Sequence, residues 1–244
     1  MCLTPLSVSN AFSVIGGVGG GTFDELVPCL TASCGLDLPL GGGFDLTNVA
    51  LHAGSADLES GDWGICGAAT GEPSAWNVSA QCVVAQGDVF VVTGVFPFDD
   101  DELGCREVEC PAGTSLVGGG GRWGSNLSVN TSEPTVDGLH WEVCGGGLGD
   151  APQLEVDAYC AVLPDGASTE VVEETQLVDS ETLGCAQANC PQGTALAGGG
   201  SGGLVAATFE VSQPAVGGAQ GWLACGRANL VTGEIRSRVL CYQP

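Results

Sequence analysis

The sequence predicts an all-β protein built from three tandem, disulfide-stapled β units, and three observations predict it. The first is composition: 41 glycines, 12 prolines and 13 cysteines in 244 residues, with only 14% of residues charged. Such a chain favours many short strands and turns over helices, and its low charge separates it from disordered acidic sequences. The second is a cysteine frame that recurs three times. The third is alternation of apolar and polar residues in the segments that lead into the closing cysteines.

The cysteine frame comprises Cys29, Cys34, Cys66 and Cys82; then Cys105, Cys110, Cys144 and Cys160; then Cys185, Cys190, Cys225 and Cys241. Each copy reads C-x4-C, a gap of 31 to 34 residues, then C-x15-C, and only Cys2 falls outside. Other residues recur in step. A glycine triplet follows the second cysteine at Gly41 to Gly43, Gly118 to Gly120 and Gly198 to Gly200. A tryptophan stands three residues before the third cysteine, as Trp63, Trp141 and Trp222. Ser132-Glu-Pro134 and Ser212-Gln-Pro214 read as a shared turn. Fixed periodicity of this kind marks a repeated supersecondary unit.

The elements follow in order. Residues 1–22 form an N-terminal extension, mildly apolar and glycine-interrupted, suited to strand exchange or cross-linking. Residues 23–88, 89–167 and 168–244 are the three repeats. Val89 to Val95 and Glu170 to Val178 read as opening strands. Thr114 to Val117 and Thr194 to Ala197 read as short strands that run into a bulge or a close backbone approach at the glycines. Trp76 to Cys82, Leu154 to Cys160 and Ile235 to Cys241 alternate in a common register. The expectation is about four strands per copy and roughly twelve in all. Short, partly β-like connections favour close packing of the copies with pseudo-threefold symmetry, like a β-prism; three small β-sandwiches are the alternative.

The cysteines are expected to be structural. Zinc sites favour C-x2-C pairs with nearby histidines, and His52 and His140 do not occupy equivalent positions. Four cysteines allow three connectivities. Strand positions pair Cys110 with Cys160 and Cys190 with Cys241, leaving Cys105 with Cys144 and Cys185 with Cys225. The first copy then pairs Cys34 with Cys82 and Cys29 with Cys66. Each closed loop stabilises by about 3–4 kcal/mol in the chain-entropy picture. Cys2 is left as a free terminal thiol or an intermolecular cross-link.

Charge restricts partners. Twenty-nine acidic residues face five arginines and no lysine, for a net charge of −24. Nucleic-acid phosphates and anionic lipids are repelled. No apolar run of membrane-spanning length occurs. Nothing ahead of Arg106 is Lys or Arg, so a secretory leader has either been removed or was never used. A virion protein oxidised only after host lysis fits the second case.

Motifs for chemistry are weak. Gly199 to Gly203 places Ser201 in a G-x-S-x-G pattern, but no histidine follows it in the chain. Asp99, Asp100, Asp101 and Glu102 are a candidate Ca²⁺ site that lacks EF-hand spacing. The three repeated tryptophans suit packing beside a disulfide better than sugar stacking, whereas Trp76 and Trp123 are fairer candidates for surface contacts. Asn77, Asn126 and Asn130 begin glycosylation sequons.

The string Cys110-Pro-Ala-Gly-Thr-Ser-Leu-Val-Gly-Gly-Gly120, and its counterpart from Cys190 to Gly200, resembles a repeat of uncharacterised secreted bacterial proteins. In that repeat Cys-Pro-x-Gly, a glycine triplet, Ser-x-Pro, Trp and Cys follow in this order. The resemblance covers copies two and three, and copy one through its triplet, Trp and cysteines. It implies an extracellular setting and no catalytic residues.

These readings lead to a non-enzymatic structural subunit of an extracellular assembly, a virion component or cell-surface filament, without cofactor and with self-association as the main interaction. A carbohydrate-binding or adhesive lectin-like module, with glycans as partners, is the alternative.

Overall fold

The computed structural model describes residues 7–19, 29–34, 37–45, 49–57, 61–69, 76–86, 89–98, 103–123, 127–147, 153–180, 182–204, 207–215, 220–228 and 232–244. These hold eighteen strands and no helix. The first cysteine copy supplies β1 (Ser7–Gly19), β2 (Cys29–Ser33), β3 (Leu38–Asp45), β4 (Val49–Asp57), β5 (Asp62–Ala69) and β6 (Trp76–Gln86). The second supplies β7 (Val89–Pro97), β8 (Leu103–Glu109), β9 (Ser115–Trp123), β10 (Leu127–Pro134), β11 (His140–Gly147) and β12 (Gln153–Ala161). The third supplies β13 (Ser168–Val178), β14 (Leu183–Asn189), β15 (Ala195–Leu204), β16 (Ala207–Pro214), β17 (Gly221–Ala228) and β18 (Gly233–Gln243).

The strand count exceeds the expectation of about four per copy. The Ser-x-Pro motif is not a turn: Pro134 faces Trp141 across β10 and β11, and Pro214 faces Trp222 across β16 and β17. Proline is tolerated there because it sits at the strand's end. The turn follows, where the Thr135 N–H donates to the His140 carbonyl and Gly138 adopts φ +70°. Part of the N-terminal extension also differs from expectation. Residues 7–19 form β1 and pair with β6 of the same chain, from Ser7 opposite Gln86 to Gly19 opposite Trp76. The rest of residues 1–22 lies outside the described residues.

The strands form three six-stranded sheets, ordered β1-β6-β3-β16-β17-β14, β13-β18-β15-β10-β11-β8 and β2-β5-β4-β9-β12-β7. Each sheet takes three strands from one cysteine copy and three from another. The joint is always a third strand against a fourth: β3 on β16, β15 on β10 and β9 on β4. Each joint is only two residue pairs long, for example Thr131 with Gly202 and Ser132 with Ser201. Separate sandwiches, the alternative expectation, are therefore excluded, because the two layers of every copy belong to two different sheets.

The cores lie between those layers. In copy two, Val108, Trp141 and Val143 of one layer pack in one cluster with Leu154, Val156, Ala158 and Cys160 of the other. In copy one, Ala32, Trp63 and Ile65 share a cluster with Val78, Ala80 and Cys82. Truncating a buried tryptophan to alanine in such a core costs about 3–5 kcal/mol.

Two local devices make the joints possible. The first is a β-bulge just ahead of each glycine triplet: Leu40, Val117 and Ala197 are each skipped in the pairing of third and sixth strands. A bulge re-aims its extra residue, and all three of these are buried. The second device is the triplet itself. A Cβ on its first glycine would meet another copy's backbone, Leu40 at Gly118 and Gly118 Cα at Gly198. On the middle glycine it would strike the tryptophan ring of its own copy, Trp63 at Gly42, Trp141 at Gly119 and Trp222 at Gly199. On the third, at Gly43 and Gly200, it would strike the Ser-x-Pro strand of another copy.

Gly199→Ala puts a methyl group 2.6 Å from Trp222 Cε3, and it is expected to cost about 2–3 kcal/mol through overpacking. Gly54→Ala, whose nearest neighbour lies 3.8 Å away, should cost under about 1 kcal/mol. Guanidinium unfolding of both variants compares them directly.

Candidate functional site

The described polar chemistry concentrates at the joint between β10 and β15. Arg236 and Arg238 occupy alternate positions of β18 and so share one face of the sheet. Glu133 precedes Pro134 at the end of β10, and its carboxyl lies against Gly202, where a Cβ would come 2.6 Å from its Oε1. Glu133 is fully buried and accepts hydrogen bonds from Arg236, with Nε at 2.8 Å, and an ion pair from Arg238 Nη1 at 3.1 Å. Arg238 Nε reaches Glu173 of β13 at 2.7 Å, and its Nη1 donates to the Pro134 carbonyl at 3.2 Å. The cluster thus ties copy two's fourth strand to copy three's first and last.

The corresponding region of another sheet holds the same chemistry with the signs exchanged. There Arg122 of β9 lies 3.1 Å from Glu155 and 3.6 Å from Asp157 of β12, and Thr93 of β7 donates to Asp157 at 2.6 Å. The other two arginines are also engaged. Arg227 Nε donates to Glu210 at 2.6 Å, and the Arg106 guanidinium lies 4.3 Å from the centre of the Phe98 ring. All five arginines are therefore held by an intramolecular partner.

Burial pushes the carboxyls of Glu133, Glu142 and Asp157 above the usual range. The Glu107 charge adds to this at Glu142, while Arg236 and Arg238 oppose it at Glu133, and Thr93 and Arg122 oppose it at Asp157. Asp137 is shifted the other way, because the Thr135 hydroxyl and the Leu139 N–H both donate to it.

The cysteines divide into two structural sets. Cys34–Cys82, Cys110–Cys160 and Cys190–Cys241 join the end of a second strand to the sixth strand, linking the two layers of a copy. Cys105–Cys144 and Cys185–Cys225 join directly opposed residues of neighbouring strands. Cys29 faces Cys66 in the same register, and Cys66 is disulfide-bonded. Cys2 lies outside the described residues, as do Asp99, Asp100, Asp101, Glu102 and Asn126.

Asn77 lies on β6, and Asn130 is the bulged residue of β10, with Oδ1 buried and without a hydrogen-bond partner. Ser201 sits within β15 between β10 and β18, not at a strand-to-helix elbow. Trp123, expected at the surface, is 7% exposed and belongs to the copy-two core. It extends the strand beyond the triplet, where sequence alternation is broken by Gly121 and Arg122. The side chain of Trp76 is outside the described set. Trp63, Trp141 and Trp222 are buried too, so no described tryptophan offers a sugar-stacking face.

Sequence reasoning passed over Glu133, Glu173, Arg236 and Arg238. A signal was present: two of only five arginines alternate on one strand, and Glu133 occupies a place where the third copy has Gln213. The Cys105, Glu142 and Cys144 group is compact enough for a metal ion, with ligand atoms within 4.8 Å, but its two sulfurs are bonded to each other.

Comparison with protein-family models and with curated proteins finds no match. The five disulfides described above fit an oxidising setting of the kind found outside the cytosol. No helix among the described residues is long and apolar enough to cross a membrane.

Two outcomes are expected. Trp141 and Trp222 donate through Nε1 to Ser132 and Ser212, whereas Gly54 stands at that place in copy one and Trp63 Nε1 has no partner. Gly54→Ser should raise stability by about 1 kcal/mol, read by chemical denaturation.

The second concerns pH. A carboxyl raised by folding stabilises the fold below its unfolded pKa, and that contribution is lost as pH rises through the folded value. Glu133, Glu142 and Asp157 therefore favour mildly acid conditions, while Asp137 loses its contribution only as pH falls through its depressed value. Tm should rise from about pH 8 to about pH 5 and fall in stronger acid. Asp157→Asn, which keeps an oxygen for Thr93, should flatten the rise.

Proposed function

We propose that the chain is a non-enzymatic structural subunit of an extracellular assembly, a virion component or a cell-surface filament. We further propose that its three cysteine copies are equivalent units set about a pseudo-threefold axis in the manner of a β-prism. One observation carries this reading: each copy donates one layer to one sheet and its second layer to another. The joints run in a cycle, with copy one meeting copy three at β3–β16, copy three meeting copy two at β15–β10, and copy two meeting copy one at β9–β4.

The functional step follows from mechanics. Copies that share sheets and whose layers are cross-linked resist moving against one another. Each described disulfide closes a loop of 39 to 51 residues, about 4 kcal/mol apiece in the chain-entropy picture. Rigidity of this kind suits a load-bearing or protective element. The arginines are committed to sheet joints, to surface ion pairs and to the Phe98 ring, so a net charge of −24 dominates the outside. Self-association then rests on strand edges and apolar patches, such as Leu103, Val136 and Leu177, each more than 70% exposed.

Light scattering and electron microscopy of concentrated, unreduced protein test the reading. Assemblies that grow with added salt are expected, because salt screens the repulsion between acidic subunits. A monodisperse monomer at every concentration and salt level, together with specific hits on a glycan array, would replace it with the lectin-like reading.

A further inference from the structure

We propose that the exposed cross-strand disulfides, Cys105–Cys144 and Cys185–Cys225, are thiol–disulfide exchange sites for small external thiols, and that local charge gives the two sites different thiol preferences. The interlayer disulfides hold the fold while these open. The inference does not depend on the structural-subunit reading.

Accessibility is the first ground. Cys105 and Cys185 are exposed and lie on β8 and β14, each at the edge of its sheet. In the interlayer set, Cys34, Cys82, Cys110, Cys160 and Cys241 are all buried, and only Cys190 is half-exposed. Backbone geometry is the second ground. The Cα atoms of the cross-strand pairs are 4.0 and 4.1 Å apart, against 5.4 to 5.7 Å for the interlayer pairs. The cross-strand bonds thus join strands already held side by side by the backbone ladder, whereas the interlayer bonds tie separate layers together. Opening these bonds leaves the edge strands in place, since each keeps a ladder of seven residue pairs, Leu103 to Glu109 on β11 and Leu183 to Asn189 on β17.

The chemistry balances with a thiol as the only co-reactant. An external thiolate attacks the exposed Cys105 or Cys185 Sγ and forms a mixed disulfide. The original S–S bond breaks and the partner cysteine leaves as a thiolate, which takes a proton from water. A second thiolate then attacks the external sulfur, releasing the protein thiol and one small-molecule disulfide. Two thiols are oxidised and one protein disulfide is reduced.

Charge separates the sites. Beside Cys105 and Cys144 on the same face stand Glu107 and Glu142, the latter with its carboxyl within 4.8 Å of both sulfurs. Beside Cys185 and Cys225 stand Gln187 and Leu223 on one side, with Leu183 and Arg227 on the other. An anionic thiolate approaches the first site against two carboxylates and the second beside the charge-balanced Arg227–Glu210 pair. Each site has its own leaving-group burial, so the useful quantity at each is the rate with an anionic thiol relative to a neutral one.

The experiment exposes native full-length protein to mercaptoethanol or to mercaptoethanesulfonate at about pH 8. Liberated thiols are trapped with N-ethylmaleimide and mapped by mass spectrometry, with circular dichroism recorded in parallel. Expected are early labels on Cys105, Cys144, Cys185 and Cys225 with an unchanged spectrum. The anionic-to-neutral rate ratio should be about threefold lower at Cys105–Cys144 than at Cys185–Cys225, converging at high salt. Glu107→Gln with Glu142→Gln should raise the ratio at the first site to that of the second. Interlayer cysteines labelled equally fast, or no labels before the spectrum collapses, would overturn the exchange sites. Equal ratios at the two sites, unmoved by the Gln variants, would overturn the charge selectivity.

Discussion

The arrangement depends on backbones meeting without side chains between them. At the joints a third strand pairs edge to edge with a fourth strand from another copy while a tryptophan covers it from within. Three successive glycines serve three different clearances: the neighbouring triplet, the tryptophan ring and the Ser-x-Pro strand. At Gly42, Gly43, Gly118, Gly119, Gly198, Gly199 and Gly200 an added methyl group would fall where packed backbone or a buried indole already sits. Glycine in a strand normally weakens it by backbone entropy and absent packing. Here that weakness is offset by bulged Leu40, Val117 and Ala197, whose buried side chains fill space beside the glycines, and by disulfides that limit the unfolded chain.

Much of this was legible before any coordinates. Cysteine spacing carries the architecture because C-x4-C puts one cysteine inside the second strand and the next just beyond it. The first faces a neighbour in its own sheet, and the second reaches the opposite layer. The all-β class followed from alternation and from glycine, and the triplets were readable as bulges or close approaches. Less visible were strands whose pattern is masked by their role. β10 and β16 end in proline beside buried small residues, so they read as turns. β1 is mildly apolar and glycine-interrupted, so it reads as an extension, because its partner β6 lies far along the chain, with Ser7 opposite Gln86 and Gly19 opposite Trp76. The copy-to-copy joints are two residue pairs long and leave no periodic trace. The ion cluster was missed for the same reason: Glu133 and Arg236 are 103 residues apart, and only the fold brings them together.

Electrostatics and topology constrain one another. A chain with twenty-nine acidic residues and five arginines has few cations to place. It places three of them at two of the three sheet joints, where desolvated carboxyls would otherwise have no counter-charge. Buried ion pairs rarely raise stability over an apolar replacement, but breaking one leaves a costly charge behind. Their contribution here is therefore specificity. Glu133 with Arg236 and Arg238 spans one joint, Arg122 with Glu155 and Asp157 lies within copy two beside another, and Gln213 over Gly43 spans the third without charge. The joints therefore differ in polar content, and the Glu133 cluster, which does cross between copies, favours β10 beside β15 over a neighbour without arginines.

The same asymmetry explains why copy one is the least regular of the three. It retains the triplet, the tryptophan and the cysteines, the parts fixed by close approach and covalent bonding. It lacks the Ser-x-Pro motif, so Trp63 loses the hydroxyl that Trp141 and Trp222 use. It also lacks the Cys-Pro-x-Gly-Thr turn, in which Thr114 and Thr194 each donate to the carbonyl of Pro111 and Pro191. What diverged is what only a hydrogen bond of about 1 kcal/mol maintained, and what persisted is what sterics or a disulfide of about 4 kcal/mol enforces. In a protein of this composition, that ordering identifies the scaffold: cysteine and glycine positions specify the shape, while hydrogen-bonded embellishments vary around it.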